Sequence, residues 1–260
     1  MKTAFIFIFI IAFTGFLGLL LSYIAQRFPR KEDPRVDKVY EVLPKTNCGA
    51  CGFASCDAYA KAVVSDTNLI GQCKVGGDAV AGKISRVLGV TPPKNKGREV
   101  ARVRCQGGTG CKDAFTYSGV KTCRAALVTG TYKECSKGCL GFGDCMESCA
   151  YDAITMREGV PHIDTHACVA CGACERACPQ NLISVEPEDH KVIVRCMSRD
   201  YPKKKAKVCE KSCIACHVCE KVCPKEAIKV VDGCAEIDYK KCIACGACVK
   251  KCPKGAITFL

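Results

Sequence analysis

The stretch Cys168-Val-Ala-Cys171-Gly-Ala-Cys174-Glu-Arg-Ala-Cys178-Pro179 decides how the rest of this chain is interpreted. Its spacing is C-x2-C-x2-C-x3-C-P, a pattern by which proteins hold cubane 4Fe–4S clusters. Three thiolates at this spacing surround one face of a cluster, while the fourth reaches a neighbouring cluster. A zinc site is built instead from two C-x2-C pairs, so we interpret the run as an iron–sulfur motif. The same run recurs at Cys213, Cys216, Cys219, Cys223 and at Cys242, Cys245, Cys248, Cys252.

The eight cysteines from Cys135 to Cys178 each recur 74 residues later, up to Cys252, since 213 minus 139 and 242 minus 168 are equal. Two tandem 2[4Fe–4S] ferredoxin-like domains of α+β class are the economical interpretation, with expected boundaries at 135–187 and 188–260. In each domain, a cysteine loop and a short helix are followed by a strand such as residues 227–231.

The first domain departs from this repeat at one position, because Phe142 stands where the second domain has Cys216. Three cysteines remain for the corresponding cluster, Cys139, Cys145 and Cys178, and Cys149 would serve the neighbouring cluster. We expect Cys135 to supply the fourth ligand. The alternative is a three-ligand 3Fe–4S centre, because the equivalent of Cys135 in the second domain lies beside a motif that already has four cysteines.

An earlier group of four cysteines predicts a separate, mainly helical iron–sulfur module at residues 29–90, with zinc as the alternative metal. Residues 91–134 are interpreted as a linker that contains further cysteines. At least five 4Fe–4S clusters are therefore expected. The module ligands are Cys48, Cys51, Cys56 and Cys73.

Several cysteines fall outside these motifs and leave two interpretations open. They are ligands of a sixth cluster, or they are buried free thiols of the kind common in protein cores. Cys234 is interpreted as a plain core residue. The candidate extra ligands are Cys105, Cys111, Cys123, Cys196 and Cys209.

Residues Ala4 to Ile24 contain no charged side chain and are rich in Phe, Ile and Leu. This pattern predicts a single transmembrane helix within an anchor at residues 1–28. Arg27, Arg30 and Lys31 follow it, which predicts a single-pass protein of the inner membrane with its bulk in the cytoplasm. A cleaved signal peptide is the alternative.

The net charge of +13 resembles that of nucleic-acid-binding proteins, but bound clusters would offset it. An oxidised cluster with four thiolates carries about −2, so five clusters contribute about −10. The remaining positive charge suits a small acidic electron carrier, and no nucleic-acid motif is present. The charge run Lys203-Lys-Lys-Ala-Lys207 is expected to be a solvated loop, with a docking patch as the alternative.

The chain carries no complete active site of its own. No glycine-rich dinucleotide motif follows a strand, and no nucleophile–base constellation is found. We therefore expect no nicotinamide or flavin on this chain, no catalytic residues, and a role confined to electron transfer.

Two further stretches resemble the B subunit of the Rnf complex, in its long form with two ferredoxin domains. They are Glu41-Val-Leu-Pro-Lys-Thr-Asn-Cys48-Gly-Ala-Cys51-Gly and Cys135-Ser-Lys-Gly-Cys139-Leu-Gly-Phe-Gly-Asp-Cys145. The resemblance implies an ion-translocating ferredoxin:NAD oxidoreductase, in which this subunit takes electrons from reduced soluble ferredoxin and passes them to other Rnf subunits in the membrane. It leaves open the ion and the direction of electron flow.

Two other functions remain as alternatives. One is an electron-transfer subunit of another membrane oxidoreductase, such as a hydrogenase or formate dehydrogenase. The other is a subunit of a system that reduces a redox-sensing regulator, as Rsx-type relatives do. Ferredoxin-dependent NAD reduction in membranes separates the Rnf function from the second alternative.

Overall fold

The computed structural model describes residues 12–23, 33–93, 97–128 and 130–260. Residues 12–23 are helical, and a helix of that length spans about 18 Å, against about 30 Å for a bilayer core. In these described ranges no helix is long and apolar enough to cross a membrane. The expectation of a single transmembrane helix is therefore corrected, because the described residues contain no such helix. Residues 4–11 and 24 of the expected span lie outside the described residues.

Three helices build the N-terminal module: α1 (Pro34–Val42), α2 (Cys56–Ser65) and α3 (Gly77–Leu88), with a 3-10 turn at Thr67–Leu69 between the last two. The side chain of Ser55 caps α2 by accepting a hydrogen bond from the Ala58 N–H at 3.1 Å. The helices pack around Val39, Tyr59, Val63 and Ile84, each at most 1% exposed. The module thus has an apolar core of its own.

The first ferredoxin-like domain consists of two antiparallel two-stranded sheets and two short helices. Strand β1 (Glu99–Val103) pairs with β4 (Ile183–Pro187), and β2 (Ile154–Arg157) pairs with β3 (Val160–Ile163). Helices α5 (Asp144–Glu147) and α6 (Ala173–Ala177) each follow a cysteine loop. Strand β1 lies in the segment expected to be a linker. The first domain therefore begins before Cys135, and its first and last strands, β1 and β4, pair with each other.

The second domain repeats that arrangement with shorter connections. Strand β5 (Val192–Val194) pairs with β8 (Ile257–Phe259), and β6 (Ile228–Val231) pairs with β7 (Cys234–Ile237). Its cysteine loops lead into α8 (Val218–Lys221) and α9 (Ala247–Lys251). By position in the sheets, β5 is the counterpart of β1, which makes Cys196 the counterpart of Cys105.

Residues between β1 and Cys135 form an insertion that contacts both domains. It contains a 3-10 turn at Gly108–Gly110 and helix α4 (Cys123–Val128). The Thr109 N–H donates to the carbonyl of Glu158 at 2.9 Å in the β2–β3 turn. On its other side, Cys111 forms an isolated β-bridge with Cys209 of the second domain. The insertion therefore joins the two ferredoxin-like domains.

The charge run at residues 203–207 is not a solvated loop. It forms helix α7 (Pro202–Val208), started by a proline whose missing N–H costs nothing at that position. Lys203, Lys204 and Lys207 are exposed, but Lys205 is only 1% exposed. One lysine of the run therefore faces the protein interior.

Candidate iron–sulfur cluster sites

The three complete cysteine runs share one loop conformation. In each, the residues directly before and after the second cysteine have positive φ: Ala170 and Gly172 (54° and 72°), Ala215 and His217 (53° and 58°), and Ala244 and Gly246 (53° and 73°). An alanine in this region costs about 1 kcal/mol or more. The same strained conformation recurs in all three loops, as expected if each backbone must turn three thiols toward one point.

The incomplete motif of the first domain keeps this loop without its second cysteine. Gly141 and Gly143 on either side of Phe142 have φ of 76° and 89°. The Phe142 ring packs against Tyr117 and Tyr132 of the insertion, with ring centroids 5.6 and 5.7 Å away. Phe142, at the position of the missing cysteine, thus packs the insertion against the first domain.

A cavity lies beneath the second run of the first domain. Four cysteines line it, together with apolar side chains such as Ile154 and Ile163. The Ala101 N–H donates to the Cys168 sulfur at 3.4 Å, as expected for a thiolate ligand. We call this the Cys168 site, lined by Cys149, Cys168, Cys171 and Cys174.

A second cavity lies under the incomplete motif, and its fourth cysteine is Cys123 rather than Cys135. The carboxylate of Asp144 accepts the N–H groups of Cys123 at 2.8 Å and Arg124 at 3.2 Å, which fixes the start of α4 beside the loop. No spacing rule connects Cys123 to this motif, so the sequence alone did not single it out. This Cys139 site is lined by Cys123, Cys139, Cys145 and Cys178.

The second domain has the same two sites with complete motifs. One cavity is the Cys242 site, lined by Cys223, Cys242, Cys245 and Cys248. In the other half, Cys213, Cys219 and Cys252 pack into one core, and the Ala256 N–H donates to the Cys252 sulfur at 3.3 Å. The Cys213 site comprises Cys213, Cys216, Cys219 and Cys252, and Cys216 is exposed.

In the N-terminal module, the cysteines of the loop and the start of α2 meet the one before α3. Burial raises the pKa of the Cys73 thiol, and the nearby Cys51, Cys56 and Cys48 raise it further. The Cys56 N–H donates to Asn47 Oδ1 at 2.8 Å, which holds the loop against the helix. The module site therefore joins Cys48, Cys51, Cys56 and Cys73.

Five cysteines outside the complete motifs line one cavity between the two ferredoxin-like domains. The Cys111 sulfur lies next to the sulfurs of Cys135 and Cys209, and these contacts lower the pKa of Cys135 and Cys209 and raise that of Cys111. A Cβ on Gly107 would lie 3.2 Å from the Cys209 sulfur, so only glycine leaves this room. This interdomain site is lined by Cys105, Cys111, Cys135, Cys196 and Cys209.

Cys234 lies outside the cavities and is 2% exposed. Its thiol donates to the carbonyl of Cys196 at 3.0 Å, and its sulfur lies next to the sulfurs of Cys196 and Cys213. Cys234 thus connects the interdomain site to the Cys213 site.

The donor sets suit clusters better than single ions. Among the described residues, no three His, Cys, Asp or Glu side chains converge closely enough to hold one metal ion. Four of the sites surround a cavity instead, and backbone N–H groups point at their sulfurs, as at Cys178 (from Leu182, 3.4 Å) and Cys223 (from Ala227, 3.3 Å). Such N–H···S bonds are the usual second shell of an iron–sulfur centre.

Neighbouring sites are in contact along the chain. Cys73 and Cys168 line one cleft between the module and the first domain, where Lys74 pairs with Glu99 and Arg176 donates to the carbonyls of Cys171 and Cys48. Cys139 lines both its own cavity and the interdomain cavity. The sites therefore follow one another in the order module, Cys168, Cys139, interdomain, Cys213 and Cys242.

Three family models match parts of the chain. The FeS cluster family covers residues 43–75, the 4Fe-4S dicluster domain covers residues 167–227, and the 4Fe-4S binding domain covers residues 235–258. The interdomain cysteines up to Cys135 lie outside these matches.

Relatives that align with most of the chain identify its family. The chain is 41% identical to the B subunit of the Na(+)-translocating ferredoxin:NAD(+) oxidoreductase complex of Acetobacterium woodii, over 85% of this chain and 67% of the relative. It is also 41% identical to the proton-translocating counterpart of Clostridium ljungdahlii, over 92% of this chain and 85% of the relative. This chain belongs to the family of Rnf B subunits. The B subunit of the ion-translocating oxidoreductase complex of Methanosarcina acetivorans, again 41% identical over 88% of both chains, agrees.

As an Rnf B subunit, the chain is an iron–sulfur electron-transfer subunit of an Rnf complex and binds 4Fe–4S clusters. Its relatives are subunits of oxidoreductase complexes, so it serves an oxidoreductase. The predictions of the family and of an electron-transfer function are confirmed.

Proposed function

We propose that this subunit accepts electrons from a reduced soluble ferredoxin and relays them, along six cysteine sites in series, to other subunits of the Rnf complex. The observation that carries this proposal is the unbroken succession of sites, each in contact with the next. A 4Fe–4S cluster bound at each site supplies one-electron redox chemistry. The chain's own residues fix the order of the sites and shield most of the sulfurs from water.

The proposed ligand sets follow the cysteines that meet at each site. The Cys139 site takes Cys123 as its fourth ligand, which leaves Cys135 for the interdomain site. That site offers five cysteines for four ligand positions, and the mutual contacts of Cys111, Cys135 and Cys209 support these three as ligands. The fourth ligand comes from the symmetric pair Cys105 and Cys196.

The Cys242 site is the proposed entry point for electrons. Cys245 is exposed there, and Ile243 beside it is 58% exposed. The exposed lysines 240, 241, 250 and 251 flank the two residues. A basic rim around an apolar centre suits transient docking of a small acidic ferredoxin, because opposite charges steer the encounter.

The module site is the proposed exit. It lies at the other end of the series, and its helices present exposed lysines such as Lys38 and Lys83. From there electrons pass to other Rnf subunits of the membrane-associated complex. Chemistry on the nicotinamide and translocation of the ion are assigned to those subunits.

The test is iron and acid-labile sulfide per full-length chain, purified anaerobically, followed by reduction with a stoichiometric series of reduced ferredoxin. We expect about twenty-four irons, matched by sulfide, and reduction of all centres by ferredoxin alone. About twenty irons would remove the interdomain site from the series. Zinc in place of iron, or centres that ferredoxin fails to reduce, would contradict the proposed function.

A further inference from the structure

The interdomain cavity differs from the other cysteine-lined cavities in its charge. Four cationic side chains line it, Lys137, Arg195, Lys205 and Lys211, and its described lining includes no carboxylate. By contrast, the cavity of the Cys168 site has no charged lining residue, that of the Cys139 site has only Asp144, and that of the Cys242 site has only Lys225. A cluster in the interdomain site would thus meet far more positive charge than its neighbours.

Lys205 is the most deeply buried of these cations. Its ammonium donates to the carbonyl oxygens of Ser198, at 3.2 Å, and Gly233. Both partners are neutral, and within the described residues no carboxylate forms an ion pair with it. Burying an ammonium without a counter-charge is unfavourable, and an anion bound in the cavity that Lys205 lines would offset this cost.

Arg195 is a second cation of the lining, from the same domain as Lys205. Its Nη2 donates to the carbonyl of Cys105 at 3.4 Å, while its buried Nε has no hydrogen-bond partner among the described residues. A guanidinium stays charged in proteins at neutral pH, so Arg195 adds a second positive charge to the cavity.

One acidic side chain near the cavity is already engaged. The carboxylate of Asp200, near Cys135, accepts the Ser136 N–H at 2.9 Å and lies 3.7 Å from the Lys204 ammonium. Its charge is therefore shared with Lys204, and the charges of Arg195 and Lys205 remain for the cavity.

We propose that Arg195 and Lys205 raise the reduction potential of the cluster in the interdomain site and make it the most easily reduced centre of the two ferredoxin-like domains. The inference rests on the proposed function, because it needs a cluster there. A four-thiolate cluster carries about −2 when oxidised and one further negative charge when reduced. A buried cation stabilises the more negative form more strongly. The centre of the series then holds an electron between arrivals at the Cys242 site.

The experiment is an EPR-monitored potentiometric titration of the full-length, iron-loaded chain. The interdomain centre is identified as the signal that disappears in the double variant Cys111→Ala/Cys209→Ala. In Lys205→Met, which keeps the length of the side chain but removes its charge, we expect the midpoint of that centre to shift to more negative potential. The Cys213 midpoint should shift in the same direction, because the Lys205 charge also acts on Cys213, and the remaining midpoints should move less. Lys203→Met changes an exposed lysine of the same helix and should move none of them.

Two further variants separate charge from packing. Lys205→Arg keeps the charge, so its interdomain midpoint should lie close to that of the wild-type chain. A purely structural role for Lys205 would instead leave the midpoint of Lys205→Met unchanged. Arg195→Gln should also shift the interdomain midpoint to more negative potential. If Lys205→Met loses the interdomain irons, Arg195→Gln decides the question.

The outcomes are distinguishable from failure of the proposed function. A wild-type chain with about twenty-four irons but an unmoved interdomain midpoint in the variants overturns the inference alone. A wild-type chain with about twenty irons overturns the six-site series itself, because the interdomain site would then hold no cluster.

Discussion

At the scale of single residues, Cys123 and Cys135 occupy different cavities, and this separation makes a direct prediction. Replacing Cys123 by alanine leaves the Cys139 site with three thiolates, Cys139, Cys145 and Cys178. We expect that centre to lose about one iron and become a 3Fe–4S cluster with an EPR signal in its oxidised state. Iron analysis and EPR of the oxidised chain measure it.

Cys135→Ala is the matched control, since both changes remove one thiol from the same insertion. It should leave the oxidised Cys139 centre without a signal and disturb the interdomain centre instead. A 3Fe–4S signal that arises in Cys135→Ala and is absent in Cys123→Ala would restore the ligand set expected from the sequence.

The difference between these two cysteines also shows what the sequence could reveal. Spacing within a loop is encoded locally, so the runs at Cys168, Cys213 and Cys242 predict cluster motifs directly. Cys123 reaches its cavity through a capping contact with Asp144, twenty-one residues away. Such a contact leaves no periodic trace, and Cys135 was the nearer and more economical choice.

At the scale of secondary structure, the module and the ferredoxin-like domains differ in what holds them together. The module packs three helices around the larger core, in which Cys56 and Cys73 are two of twelve buried residues. The cores of the other two domains are smaller, and cysteines form a larger share of them, such as Cys145 and Cys174 in the first and Cys219 in the second. Small cores of this kind depend on metal for their stability.

Removal of iron by an anaerobic chelator should therefore act unevenly. Amide exchange in β1, β4, β5 and β8 should accelerate by at least about tenfold, while α1, α2 and α3 retain part of their protection. Hydrogen exchange read by mass spectrometry measures both in one sample, with the iron-loaded chain as the reference. Equal loss of protection in the module helices and the ferredoxin strands would show that the module depends on its cluster as fully as the other domains do.

The elements that the sequence did not predict are those fixed by distant partners. Strand β1 is defined by pairing with β4, more than eighty residues later, and a five-residue run in a cysteine-bearing segment carries no sign of that partner. Helix α7 has the composition of a solvated charge run, yet Lys205 is buried because its ammonium meets the carbonyls of Ser198 and Gly233. The repeat of 74 residues, in contrast, was sufficient to predict two related domains.

At the scale of the whole molecule, the net charge of +13 and the order of the sites bear on where ferredoxin docks. Six oxidised clusters would contribute about −12 and nearly neutralise the chain overall. What remains is the uneven distribution of the charge, with exposed lysines 240, 241, 250 and 251 around the Cys242 site. Local charge of this kind governs encounter rates rather than the fold.

Reversing part of that charge should slow electron entry and leave the clusters intact. In Lys240→Glu/Lys241→Glu, we expect the rate constant for reduction by ferredoxin to fall by about tenfold at low ionic strength, because steering of an acidic partner is lost. The difference from the wild-type chain should shrink as salt screens the surface. Anaerobic stopped-flow absorbance across a salt series measures both effects, and the iron content should stay unchanged.

Lys38→Glu/Lys83→Glu makes the same change in charge on exposed positions of the module helices, at the other end of the series. Because the two variants have equal net charge, any difference between them reports the place where ferredoxin docks rather than the overall charge. A larger loss of rate in the module variant would place electron entry at the module and reverse the proposed direction through the series. Equal losses would mean that ferredoxin responds to the net charge of the whole chain and has no docking site at Cys242.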